Sequence, residues 1–260
     1  MVLVIIRSVV FLLAFAVLAA ALPTSTPLAA GSSTAQQSTD PETVRIEKII
    51  RNYLLENPEL LVEVMRKLEA RQKAAEKKDL VGTIMANRKA LFASANDYIA
   101  NPMGKIPVVE FFDYQCGYCK RFKPSVDRLI KSDKSVRFVF KEFPILGEVS
   151  VTASKAALAA KLQGKYLAFH DALMVLRRRL TDAAIYQTAK DVGLDVKRLK
   201  KDMTSAIVLR TIKENRALAS AMGIRGTPSI VVGEQMAPGA ISYEQLLAMI
   251  EQARTNCSVC

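Results

Sequence analysis

Residues 108–119 read Val108-Val109-Glu110-Phe111-Phe112-Asp113-Tyr114-Gln115-Cys116-Gly117-Tyr118-Cys119, an apolar run that empties into two cysteines and then into a charged amphipathic segment. This is the pattern of a buried strand running into a helix, with both thiols on its first turn. Unpaired backbone N–H groups and the macrodipole at that end favour negative charge on the leading sulfur. A free cysteine titrates near ~8.5, so a helix start brings Cys116 toward an attacking thiolate at neutral pH, with Cys119 placed to close a ring and release a mixed disulfide. The spacing alone leaves other readings open. A C-x-x-C is half of a tetrahedral zinc site, for which Cys257 and Cys260 would supply the other half, and it is also compatible with a structural disulfide. Zinc pairs usually sit on knuckles between short strands, whereas this pair follows a strand and opens a helix.

More than a hundred residues on, Gly223-Ile224-Arg225-Gly226-Thr227-Pro228-Ser229 leads into Ile230-Val231-Val232-Gly233. Proline at the start of a strand normally demotes it. A cis Thr-Pro bond instead makes a tight turn that leaves the backbone of Thr227 open to an extended partner strand. With both motifs in this order, the chain resembles the DsbA-like thiol–disulfide oxidoreductases of the thioredoxin superfamily. The resemblance implies an α/β thioredoxin fold with an inserted helical domain, preceded by an N-terminal helical segment. It implies Cys116, Cys119 and Glu110 as catalytic residues, with Thr227, Pro228, Gly117 and Tyr118 facing substrate, and neither cofactor nor metal. Glu110 matches the buried acid beneath the active-site disulfide, a position for a proton relay to Cys119; as a lone carboxylate in an apolar strand it is costly unless it has a task. Its alternative is an outward edge position.

Between the motifs, apolar spacing predicts helices over 151–163, 167–178, 183–192, 196–204 and 207–222, with Gly164, Gly193 and Gly223 as stops. A second strand is expected over 136–143. His170, the only histidine, is read as a hydrogen-bonded core residue, and its solitude removes Ser-His-Asp triads and Cys-His nucleophile pairs.

Arg7 followed by the apolar run from Val9 to Leu22 and small residues at Ala19–Ala21 and Ala29–Ala30 has the layout of a secretory signal peptide, with an uncleaved anchor as the alternative because the run together with Leu3 to Ile6 approaches spanning length. We assign 1–30 to that signal, with periplasmic localisation, 31–41 to a linker, 42–100 to a helical oligomerisation segment and 101–260 to the DsbA-like domain, its helical insertion at about 150–222. Asp40-Pro41 and Asn57-Pro58 start two helices. The second, striped by Leu61, Val64, Met65 and Leu68, has the spacing to run for nearly forty residues, with Gly82 as a weak point. Its partner is expected to be another copy of the chain, since the stretch from Ile46 to Glu63 resembles the oligomerisation segment of copper-sensitivity-suppressor-type relatives; the alternative is a helix folded back to pack on its own domain. The net charge of +12 is spread over helices with interleaved acids, which argues against nucleic acid. The resemblance implies as partners misfolded or unfolded disulfide-containing exported proteins, a membrane redox partner and a homo-oligomer. Gly117-Tyr118 and Thr227 look like periplasmic isomerases, so isomerase or reductase action is expected. Without a basic dipeptide, Cys116 is expected to be a moderate thiolate. Net dithiol oxidation is the enzymatic alternative and copper binding by soft thiolates the non-enzymatic one.

Overall fold

The computed structural model describes residues 40–258 and 260; the expected signal peptide and nearly all of the linker lie outside them. Two compact units divide at Val62/Glu63. In the first, α1 (Pro41–Glu56) starts where Asp40 accepts the Thr43 N–H, with Pro41 in the first turn. It buries no residue and leaves Ile46, Ile49, Ile50 and Tyr53 about half exposed.

Helix α2 (Glu59–Ala86) passes Gly82 unbroken and stops at Asn87, short of the expected length. There the Asn87 amide turns back to the Thr83 carbonyl and α3 (Arg88–Phe92) begins after it as a separate short helix. Val64, Met65 and Leu68 stay exposed, but Ile84, Leu91 and Phe92 are buried in the core. Strand β1 (Tyr98–Ala100), which no sequence signal singled out, pairs with β3. The sheet domain therefore takes in residues ahead of 101.

The sheet runs β1-β3-β2-β4-β5, where β2 is Ile106–Phe112, β3 Val136–Glu142, β4 Ser229–Val232 and β5 Gln235–Pro238. Strand β2 is central, parallel to β3 through helix α4 (Gly117–Ser132) and antiparallel to β4. Alternation sends Val108 and Phe112 to one face and Val109 and Phe111 to the other. The first face packs on α4 and most of the helical insertion, the second on Leu91, Phe92 and Leu218, the last from the insertion's final helix. Each buried phenylalanine contributes about 1.5–3 kcal/mol, so both faces of β2 add to the core.

The insertion contains α5 (Glu148–Lys161), α6 (Tyr166–Met174), α7 (Asp182–Asp191), α8 (Val196–Asp202) and α9 (Ala206–Ala221), close to expectation except that α6 ends four residues early. Gly164, Gly193 and Gly223 all hold positive φ after helices, as stop residues require. Helix α10 (Tyr243–Asn256) closes the chain. No described helix is long and apolar enough to cross a membrane.

Gly104 turns the chain into β2. A Cβ there would lie 2.5 Å from the Val136 carbonyl carbon and 2.6 Å from the Arg137 nitrogen, both backbone atoms that cannot step aside. Gly104→Ala should destabilise the domain by about 1–3 kcal/mol, measured as a lower urea midpoint with an unchanged slope.

Candidate active site

Cys116 is the N-cap of α4, with extended backbone, and its sulfur accepts the Cys119 N–H at 3.3 Å. A sulfur thus occupies the place that serine or aspartate oxygen takes at most helix starts. Both cysteines are free thiols; Cys119 is fully buried and Cys116 is 6% exposed. The Thr227–Pro228 bond is cis, and Cys116 Sγ lies 3.1 Å from the Thr227 carbonyl, to which its thiol donates. The two sequence motifs therefore meet at one atom. Tyr118 is exposed, its ring 4.2 Å below the Arg121 guanidinium.

The hydrogen bond from the Cys119 side chain, helped by the Thr227 side chain and by the backbone of residues 118 and 119, pulls Cys116 down to about 5 against the opposing effect of burial. That is a stronger thiolate than the dipeptide suggested, and hydrogen bonds at the helix start supply the shift in place of a basic neighbour. Cys119 moves the other way: burial, its bond to Cys116 and the charge of Glu110 hold its proton firmly. One sulfur is ready to attack and the other waits.

Glu110 is 2% exposed and shares the sheet face of Val108 and Phe112, so it is no edge residue. Burial raises its carboxyl to about 8, opposed by Lys123 and assisted by the Cys116 charge, and its Oε1 has no hydrogen-bond partner. It is thus protonated at neutral pH and poised to titrate beside the sulfurs. Lys123, on α4 one turn past Cys119, is itself only 5% exposed and is held by Asp127 and, at 2.7 Å, by Asp171. Sequence reading passed over Lys123 because a lysine in an amphipathic helix normally lies in solvent.

Two further groups were missed. Asp113 Oδ1 accepts from the Gln115 N–H and the Ser150 hydroxyl at 2.7 Å, and its Oδ2 from Ile145 N–H at 2.8 Å and Leu146 N–H at 3.0 Å. It ties the turn before Cys116 to the loop before α5, and its signal was an aspartate at a strand end. Glu142 accepts from the Tyr114 and Tyr166 hydroxyls at 2.9 and 2.8 Å, and burial lifts its carboxyl to about 8. His170 is fully buried, 3.1 Å from the Tyr114 hydroxyl, and burial keeps it neutral, in keeping with a core role.

Cys257 and Cys260 are joined to each other. Cys257 Sγ would lie 2.9 Å from a Cβ on Gly233, whose N–H bonds to the Pro107 carbonyl. That is the opposite end of β2 from Cys116, on the order of 20 Å along the strand. The tail pair cannot complete a zinc site with Cys116 and Cys119, and among the described residues no cluster of three or more metal-ligating side chains exists.

Residues 107–251 match the DSBA-like thioredoxin domain and residues 42–75 match the copper resistance protein ScsC N-terminal domain. A thioredoxin-like oxidoreductase from Silicibacter pomeroyi DSS-3 is 43% identical, with 66% of this chain and 99% of that one covered and a TM-score of 0.64. The catalytic domain of Proteus mirabilis ScsC is 29% identical over 68% of this chain and 99% of that one, with a TM-score of 0.63. The Na(+)/H(+) antiporter NhaA 3 of Salinispora tropica is 28% identical over 160 residues, 60% of this chain and 24% of that protein. The chain thus spans about a quarter of the length of the curated relatives it matches.

Alkylation of Cys116 by iodoacetamide should rise with pH through a midpoint near the value of about 5 and then stay flat, while Cys119 stays unmodified. Because the folded value lies below the ordinary 9.0, the thiolate's stabilisation is present above pH ~9 and is lost as pH falls toward 5. Glu110 has the opposite sign. Its folded value of about 8 exceeds the ordinary 4.5, so it costs stability as pH climbs between the two. Denaturation of the reduced protein should show Glu110→Gln gaining on the parent across that interval.

Proposed function

The chain belongs to the DSBA-like thioredoxin-domain family, and from that premise we propose that it is an exported periplasmic thiol–disulfide oxidoreductase working mainly as a disulfide isomerase or reductase. The observation that carries the reading is the division of labour between the sulfurs: Cys116 is depressed to about 5 while Cys119 keeps its proton. In the cycle, the Cys116 thiolate attacks one sulfur of a client disulfide. The S–S bond breaks, its electron pair leaves on the other client sulfur as thiolate, and a mixed disulfide forms. If a client thiolate then attacks the client sulfur of that bond, Cys116 returns as thiolate, the client is rearranged and no electrons are exchanged overall. If Cys119 attacks Cys116 instead, its proton passing to Glu110 in the minor fraction of molecules whose carboxyl, raised to about 8, is ionised, the enzyme is left as a disulfide and the client departs with two more electrons. Net oxidation is the reverse of this second branch.

The Thr227 carbonyl, bonded by the Cys116 thiol in this state, has a second lone pair for an extended client strand, with exposed Gly117 and Tyr118 beside it and buried Pro228 holding the turn. Lys123 acts through Glu110 by countering its tendency to stay protonated. The choice of isomerase rests on the N-terminal helices. The exposed apolar residues Ile46, Ile49, Ile50, Leu61, Val64 and Met65 fall within the segment matching the ScsC N-terminal domain, and a self-associated chain presents several dithiols to one client. Copper protection is a second reading, favoured by that same N-terminal match and by the softness of paired sulfurs as ligands.

Cys119→Ser should accumulate mixed disulfides with clients and Cys116→Ser should form none. Removing residues up to Lys78 should give a monomer by light scattering that still exchanges at Cys116 but refolds a scrambled disulfide substrate roughly ten- to a hundredfold more slowly, through loss of effective concentration. A monomeric full-length protein, or undiminished refolding by the truncated form, would return the helices to a packing role.

A further inference from the structure

Where α6 stops early, the chain runs Val175-Leu176-Arg177-Arg178-Arg179-Leu180 before α7 begins. Buried Met174 and Leu180 pin the two ends of this loop, and all three arginines are exposed. Lys120, in the first turn of α4, donates to the Leu176 carbonyl at 3.1 Å, fastening the loop to the helix that carries both sulfurs. The loop, Lys120 and Gln115, the residue before Cys116, enclose an open groove of about 560 Å³.

The charge in this groove is uncompensated. Among the described residues, none of Arg177, Arg178 and Arg179 is in an ion pair or over an aromatic ring. Asp171, the acid on α6, is taken by Lys123, and Asp182 lies in the first turn of α7, where the helix dipole favours it. Arg121 adds a cation on the Tyr118 side. Three adjacent like charges repel one another, which has no folding benefit; guanidinium groups match carboxylates in bidentate geometry. A cleft with one sign of charge also raises the local concentration of oppositely charged partners and their rate of encounter.

We propose that this groove receives acidic segments of client polypeptides, their carboxylates pairing with Arg177, Arg178 and Arg179 while a neighbouring client disulfide reaches Cys116. The proposal rests on the thiol–disulfide reading and names the clients that reading would favour. The chemical step is unchanged: the Cys116–client S–S bond forms as the client's own S–S bond breaks, and the departing client sulfur carries away the electron pair.

The test uses the reduced full-length protein and two synthetic peptides, each with one disulfide, flanked in one by Asp and Glu and in the other by Ser and Gln. Reaction with the acidic peptide should be about tenfold faster at low salt, the preference shrinking as salt screens it. Combining Arg177→Ser, Arg178→Ser and Arg179→Ser should bring the ratio of the two rates close to one, and the corresponding Glu substitutions should turn the preference toward a Lys-flanked peptide. A triple variant that keeps the parent's preference overturns the proposal. So does loss of sedimentation with phosphatidylglycerol vesicles without any change in peptide preference, which would assign the arginines to a membrane surface. Exchange with neither peptide by the parent protein would refute the thiol–disulfide reading itself, and is thereby distinct from failure of the groove.

Discussion

One sulfur atom in the cap position of a helix sets the terms for the rest of this molecule. Cys116 must stand at the start of α4, accept the Cys119 N–H and lie against the Thr227 carbonyl at the same time. Those conditions fix β2 at the centre of the sheet, because only there do a parallel neighbour through α4 and an antiparallel neighbour from the cis-proline turn end at the same edge. The helical insertion then covers the face that carries Glu110, which keeps the carboxylate dry enough to hold its proton near neutral pH. The groove beside Lys120 is a further product of this arrangement, since the loop after α6 is tied to the first turn of the same helix.

Much of this was readable from residues alone. The apolar run into a C-x-x-C, the Thr-Pro turn before a second apolar run and the glycines at 164, 193 and 223 each carry a local signal, and local signals survive folding. Glu110 was legible because a charge in an apolar strand is conspicuous. Its helpers were not: Lys123 and Asp171 look like solvated helix residues until α4 and α6 are brought together, and Glu142 at the end of β3 reads as a strand-terminal surface acid. Strand β1 is three residues long and owes its existence to pairing with β3, which no local pattern announces. The long helix passes Gly82 and ends at Asn87, an ordinary polar residue in sequence, whose side-chain amide joins its own backbone N–H on the Thr83 carbonyl.

The molecule keeps its two cysteine pairs apart in both place and chemistry. Cys116 sits at a helix start, where the dipole favours a thiolate, whereas Cys257 follows the end of α10, where it does not. The tail pair packs against Gly233, Ser258 donates to Glu234, and the Cys260 carbonyl accepts from Arg88 at 3.2 Å. It fastens the chain end to the β4–β5 turn and to α3, far from exchange.

The central claim is that hydrogen bonds to the Cys116 thiolate stabilise the reduced dithiol. The most direct test is equilibration of the purified protein in glutathione buffers, with the Cys116–Cys119 disulfide followed by peptide mass so that the tail pair does not contribute. The account predicts a midpoint potential more positive than about −200 mV, on the isomerase and oxidant side of the thioredoxin-fold range. A midpoint near thioredoxin's value of about −270 mV would mean that the thiolate is not stabilised in this way, and would contradict it.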